Sequence, residues 1–477
     1  MKLATVLHSL GLTGSVLDFS KTIISVDTYI AKETPVAKSR LLANIGPDGD
    51  KSHGALAGIV IASPSTKNPD YLYTWTRDSA LVFKLLIEDF VSGDDPSLRG
   101  LIDAYISVEA TIQQTPNPSG PAGKGGLGEP KFNIDGSAFT DPWGRPQRDG
   151  PALRATAMMQ YAEWLLKTGN SSYVKRSLWP IIQLDLDYVA TSWRQPTFDL
   201  WEEINSESFF TAVVQHRSLR EGSSLAVKLQ QHAESLKYNA QADGVLCFMQ
   251  SFWNPDRAYM RANTGGGRSG LDSNTVLASI HTFDPSAGCD TATFQPCSDR
   301  ALSNLKKYVD SFRRVYALNK GVRTPDPVAT GRYPEDVYFG GNPWYLATLA
   351  VAEQLYDALL TWHTLRAITV TPISQHFFTQ FAPGISPGTY RADSNSTSST
   401  YSHLSAAIRA HADGFLAVVA RHTPPDGGLA EQFDKASGAP ASAVDLTWSY
   451  AAALTAFRAR KGGSSGAWGA KGLDVVC

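Results

Sequence analysis

Asp199-Leu200-Trp201-Glu202-Glu203-Ile204-Asn205 is the stretch whose reading decides how the chain is organised. Three carboxylates fall within five residues, yet Leu200, Trp201 and Ile204 stand among them. One reading is an acidic helix start, stabilised by the helix macrodipole. The other is a loop that holds carboxyl groups against apolar side chains, where lost hydration disfavours the ionised form. The charges of Asp199 and Glu203 push Glu202 the same way, and a carboxylic acid kept protonated near neutral pH suits general acid chemistry. Helix-periodic residues end near 193 and resume near 208, which places the stretch in a connection.

Outward from this loop the same alternation repeats. Helix-periodic segments at 25–45, 78–92, 97–115, 151–169 and 174–193 precede it; 208–237, 271–281, 299–318, 342–367, 371–381, 402–422 and 445–460 follow. Strand alternation is scarce. Long connections lie at 46–77, 116–150, 194–207, 320–341 and 423–444. Loops above about 15 residues are uncommon and are either functional or disordered. These hold Tyr71, Trp75, Trp143, Trp201, Tyr333 and Phe433, which are residues that pack. The expectation is an all-α ring of twelve helices in pairs, with the loops gathered at one mouth. One domain is expected over residues 25–477, with a low-complexity piece at 461–470.

Composition narrows the function. Charged residues are 18% of the 477, below the roughly 25% of an average globular chain. A net charge of −2 gives no electrostatic case for nucleic acid or an anionic membrane surface. No run reaches the ~18 apolar residues of a transmembrane helix. Eleven Trp and eighteen Tyr suit flat, CH-rich ligands such as sugars, and they also fill cores. The four cysteines form no CxxC pair and have no His cluster, which argues against zinc. Cys289 and Cys297 bracket a short loop that a local disulfide would close, leaving Cys247 to pair with Cys477; buried free thiols are the alternative. Sequons at Asn170 and Asn395 fit a secreted glycoprotein. Residues 1–24 read as a degenerate secretory signal or pro-segment, with Lys2 before a short apolar run.

Several motif matches fail on context. Gly123–Gly128 fits G-x-G-x-x-G but follows a Pro-rich run and precedes Glu129-Pro130, so it lacks the strand and helix of a dinucleotide site. Gly384-Ile385-Ser386-Pro387-Gly388 fits a nucleophile elbow, but Pro387 has no N–H to serve an oxyanion. Gly462–Gly466 fits it too, inside the low-complexity piece. A second carboxylate in apolar company survives: Glu431, in Gly427-Gly428-Leu429-Ala430-Glu431-Gln432-Phe433-Asp434. Two carboxyl groups on different loops of one mouth are the minimal equipment for glycoside hydrolysis.

Five blocks then carry a resemblance. Tyr71–Asp78, Trp143–Pro151, Asp199–Asn205, Gly331–Asp336 and Asp445–Tyr450 resemble, in order, the loop signatures of fungal glucoamylases, glycoside hydrolase family 15. The resemblance implies an (α/α)6 barrel of six inner and six outer helices. It also implies inverting exo-hydrolysis of terminal α-1,4-linked glucose, more slowly α-1,6-linked, from starch and maltooligosaccharides, releasing β-D-glucose. Glu202 would be the general acid and Glu431 the general base, with Asp199 an alternative base. Tyr71 and Ser442 would serve Glu431; Arg77, Asp78, Glu203 and Arg332 would grip the terminal sugar; Trp75, Trp143, Trp201 and Trp448 would form its walls. Without the family, Arg77-Asp78 reads as an ion pair at a helix start, Trp143 and Trp448 as core, and Arg332 as surface charge. The resemblance pairs Cys247 with Cys477 and Cys289 with Cys297. It implies no metal or cofactor, a secreted monomer, and, since the chain stops at Cys477, no starch-binding domain after the barrel.

Overall fold

Whether a helix in this chain is apolar on one face or all round sorts it into one of two layers. The computed structural model describes residues 25–392 and 399–477; the expected leader 1–24 and the Asn395 sequon lie outside the described residues. Among the described residues, twelve helices have nine residues or more. They are α1 (Val26–Ala43), α2 (Thr76–Ser92), α3 (Arg99–Ile112), α4 (Asp149–Lys167), α5 (Trp179–Ser192) and α6 (Phe209–Lys228), then α7 (His232–Met249), α8 (Ser273–His281), α9 (Asp299–Ser311), α10 (Tyr345–Leu365), α11 (Thr400–His422) and α12 (Thr447–Arg460).

α10 is buried without interruption from Tyr345 to Ala358, the pattern of a helix enclosed on all sides. α11 instead buries Leu404, Ile408, Ala412, Phe415 and Val419, a stripe at spacings of three and four that covers one neighbour. The even-numbered helices form the inner layer. α2 packs on α4, α4 on α6, α6 on α8, α8 on α10, α10 on α12, and α12 returns to α2. The odd-numbered helices pack outside this closed ring, giving an (α/α)6 barrel. A buried fork ties two of them inward: Arg154 of α4 meets Asp185 of α5 at 2.7 and 2.8 Å and Glu109 of α3 at 2.9 Å. Charges this deep are tolerable only when paired and hydrogen-bonded.

The connections explain where function collects. Each outer helix reaches the next inner one through a long loop, so six loops meet at the N-terminal ends of α2, α4, α6, α8, α10 and α12. Both expected disulfides are present, Cys247–Cys477 and Cys289–Cys297. No helix of the described residues is long and apolar enough to cross a membrane.

Two helix expectations need correction. The expected helix 208–237 is two, α6 and α7, because Gln230 turns left-handed at φ 64° and breaks the backbone ladder. The expected helix 371–381 shrinks to Gln375–Thr379, next to an unforeseen ribbon of Ala367–Val370 with Gly388–Arg391. Twelve is therefore the right count from a partly different set. The low-complexity segment is packed as well: Trp468 and Ala470 are buried, and Asp284 accepts the N–H groups of Trp468, Gly469 and Ala470.

Candidate active site

A pocket of about 630 Å³ opens at the loop mouth, lined by residues from five of the six loops. Tyr71, Trp75, Arg77, Asp78, Trp143, Trp201, Glu202, Glu203, Arg332, Glu431 and Trp448, eleven of the expected site residues, all line it.

The Asp199–Asn205 stretch is neither helix start nor free loop but a tight turn. Thr197-Phe198 pairs with Asn205-Ser206, and Asp199 Oδ1 accepts the N–H groups of Glu203 at 3.0 Å and Ile204 at 3.1 Å. Asn263 donates to Oδ2 at 3.2 Å. Burial pushes the Asp199 carboxyl up and these backbone donors oppose it, with the net shift upward. Asp199 lies behind the turn, fully buried, and holds Glu202 at φ 66°, a strained conformation for a non-glycine residue. Gly144 packs so closely on this turn that a Cβ there would stand 2.5 Å from the Glu202 carbonyl oxygen.

Glu202 accepts from Trp75 Nε1 at 2.7 Å and from Gln147 Nε2 at 2.9 Å, both at Oε1. Oε2 is left to the pocket. Glu431 is held the same way through one oxygen: Ser442 Oγ donates to Oε2 at 2.5 Å and Gln432 Nε2 at 3.0 Å. Burial pushes Glu431 up to about 7, against the pull of Ser442, Arg332, Tyr71 and Gln432. Trp75, which donates to Glu202, and Tyr71, which acts on Glu431, lie edge to face with ring centres 5.4 Å apart. The Tyr71 hydroxyl meets that of Tyr338 at 2.6 Å.

The pocket floor is polar. Arg77 at the start of α2 donates to Gln147 at 2.7 Å and Asp149 at 3.1 Å, and lies 3.5 Å from Asp78. Burial pushes Asp78 up to about 6 despite Arg77. Arg77 Nε and Asp78 Oδ2 are buried and face each other at 3.5 Å without a hydrogen bond, and the indole N–H groups of Trp143 and Trp344 are buried with no hydrogen-bond partner. Buried polar atoms of this kind are what the hydroxyls of a ligand satisfy. On the facing side Arg332 forks onto Asp336 at 2.6 and 2.8 Å and reaches Glu203 at 2.9 Å. Burial works against the Glu203 charge, but Arg332, Tyr333 and Arg268 outweigh it and hold the carboxyl below its ordinary range. Trp201 lies near-parallel to Trp448, 6.5 Å away, and its indole donates to Asp272 at 2.8 Å.

Against this geometry, residues 35–458 match the model of the family described as glycosyl hydrolases family 15. The chain belongs to that family. It is therefore a glycosidase by membership. It is 58% identical over 451 residues to Glucoamylase-1 of Schizophyllum commune, covering 94% of this chain and 77% of that one. A Neurospora crassa glucoamylase is 52% identical, covering 95% and 71%. Among solved structures, the family 15 glucoamylase of Hypocrea jecorina superposes with a TM-score of 0.91 at 53% identity, covering 93% of this chain and 74% of that one.

For a family 15 chain, the inner-helix starts explain the rest of the site. Gln147, Asp272, Arg268, Asp336, Tyr338, Trp344 and Lys131 all support it, and none was singled out from the sequence. Gln147 lies within the Trp143–Pro151 block and Asp336 ends the Gly331–Asp336 block, but nothing local in the sequence marks their partners. Lys131 is buried in an aromatic box, its Nζ 3.6 Å from the Trp143 ring centre and 4.0 Å from those of Tyr73 and Phe139. Burial lowers it to about 8. Asn170 is exposed on the turn after α4.

Proposed function

We propose that this chain releases β-D-glucose from the non-reducing ends of starch and maltooligosaccharides by single-displacement hydrolysis. Terminal α-1,4 linkages are the main substrate and α-1,6 linkages a slower one. The observation that carries the reading is the pair of loop carboxyls, Glu202 and Glu431, each tied through one oxygen and both lining one pocket. Inversion needs two carboxyl groups separated enough to admit a water, about 6.5–9.5 Å. Relatives named glucoamylase at 58% and 52% identity support the substrate class.

Glu202 gives its proton from Oε2 to the glycosidic oxygen as the C1–O bond breaks. Trp75 and Gln147, donating to Oε1, stabilise the carboxylate that forms. A water attacks C1 from the opposite face and loses its proton to Glu431, which Ser442 and Gln432 aim. Arg77 with Asp78, and Arg332 with Glu203, take the hydroxyls of the terminal glucose, which selects a chain end. Asp199 acts as a positioning residue, because its oxygens are occupied by the turn that presents Glu202. Two disulfides and the exposed Asn170 sequon support secretion as a glycoprotein.

Glu202→Gln tests the assignment. It keeps the shape and both acceptor contacts at Oε1, so maltose should still bind within about tenfold while kcat falls roughly 10²–10⁴-fold. Near-normal turnover would remove Glu202 from the acid role.

A further inference from the structure

At the C-terminal ends of the inner helices, away from the mouth, a second cavity of about 510 Å³ lies between α2, α4, α6 and residues 464–469. That size falls within the roughly 300–1,000 Å³ of small-molecule sites. Most of its charges are already paired, and Lys167 at the rim is the lining cation outside those pairs. Glu88 meets Lys84 at 2.7 Å and Arg458 at 3.2 Å, Glu221 meets Arg217 at 3.1 Å, and Glu163 meets Lys228 at 2.5 Å. Ile87, Met159 and Trp468 add apolar wall.

Three polar atoms of the lining residues are buried without a hydrogen-bond partner: Arg217 Nε, Gln160 Oε1 and Glu221 Oε2. Arg217 is only 2% exposed. One of these atoms must donate and two must accept. A phosphate would bring its negative charge against the Glu163 and Glu221 carboxylates, and a cation cannot satisfy Arg217. Hydroxyl groups both donate and accept. Arginine–carboxylate pairs beside an indole are also what line the mouth, in Arg77–Asp78 near Trp448 and Arg332–Glu203 near Trp201.

We propose that this cavity is a second saccharide site, binding a neutral sugar of one or two units without hydrolysing it. The sugar bridges the inner ring to the segment 464–469, which the Cys247–Cys477 disulfide holds against the barrel. The site stands independently of the catalytic assignments at the mouth.

The test is calorimetric titration of the full-length Glu202→Gln protein with maltose, alone and combined with Ser224→Trp, which fills the rim, or with Gln160→Leu, which removes an acceptor. Two binding events are expected in Glu202→Gln and one in each double variant. The same Ser224→Trp and Gln160→Leu changes, made in the unaltered protein, should leave starch hydrolysis within about twofold. Near-ultraviolet circular dichroism reports folding, and Gln160→Leu carries the test if Ser224→Trp does not fold. A single event in every variant, two events that survive both changes, or inorganic phosphate binding in place of maltose would overturn the proposal.

Discussion

Ser442 and Gln432 hold one oxygen of Glu431, and the consequence is a dependence of rate on pH. A general base works only when ionised, so kcat/KM should rise with pH through the Glu431 titration. Burial sets that titration high, at about 7, and the Ser442 hydroxyl lowers it by donating to the charged form. Ser442→Ala should therefore raise the Glu431 pKa and move the acidic limb of the kcat/KM profile to higher pH. A limb that stays in place would separate Ser442 from the base. Gly144 supports the other carboxyl. A Cβ 2.5 Å from the Glu202 carbonyl oxygen must displace the turn, and misplacement by about 1 Å can cost up to about 10²-fold in rate. Gly144→Ala should lower kcat by at least about tenfold while leaving the far-ultraviolet circular dichroism unchanged; unchanged kcat would contradict the close packing.

At the scale of elements, the break between α6 and α7 rests on Gln230 at φ 64°. A left-handed L-residue costs about 1–2 kcal/mol, and glycine returns part of that as chain entropy in the unfolded state. Gln230→Gly should stabilise the fold by about 0.5–1 kcal/mol in denaturant unfolding, whereas loss of stability would mean the turn is held by its side chain. The same residue shows what the sequence hides. Gly46-Pro47 and Gly93 announce helix ends, but nothing in Leu229-Gln230-Gln231 interrupts the periodic pattern, so 208–237 reads as one helix. Missing that break hides the loop before α8, and with it Arg268 and Asp272, the partners of Glu203 and Trp201. Apolar residues around Glu202 and Glu431 did mark both as unusual. Their pairing was legible only through blocks far apart in the chain, because nothing local records which loops share a mouth. The duty of Asp199 depends on a turn of five residues, which the composition of that stretch does not specify.

At the scale of the whole molecule, ring closure buries charge on α10. Glu353 and Asp357 sit one turn apart among the inner helices, and burial raises both, Glu353 to about 7 from an ordinary value near 4.5. A carboxyl whose folded pKa is raised favours the fold while both states are protonated. Its contribution is complete below about pH 4.5 and is lost as pH rises through about 7. Thermal unfolding should accordingly show Tm falling over this interval, and Glu353→Gln should flatten the fall; an unchanged slope would contradict it. The barrel's chemistry has a more direct readout. With maltotriose as substrate, ¹H NMR in the first minutes of reaction reports the anomer of the glucose released, before mutarotation mixes the two forms. Glu202 as acid and Glu431 as base require β-D-glucose first. Initial α-D-glucose would mean a double displacement, and with it a nucleophile that this arrangement of carboxyls does not provide.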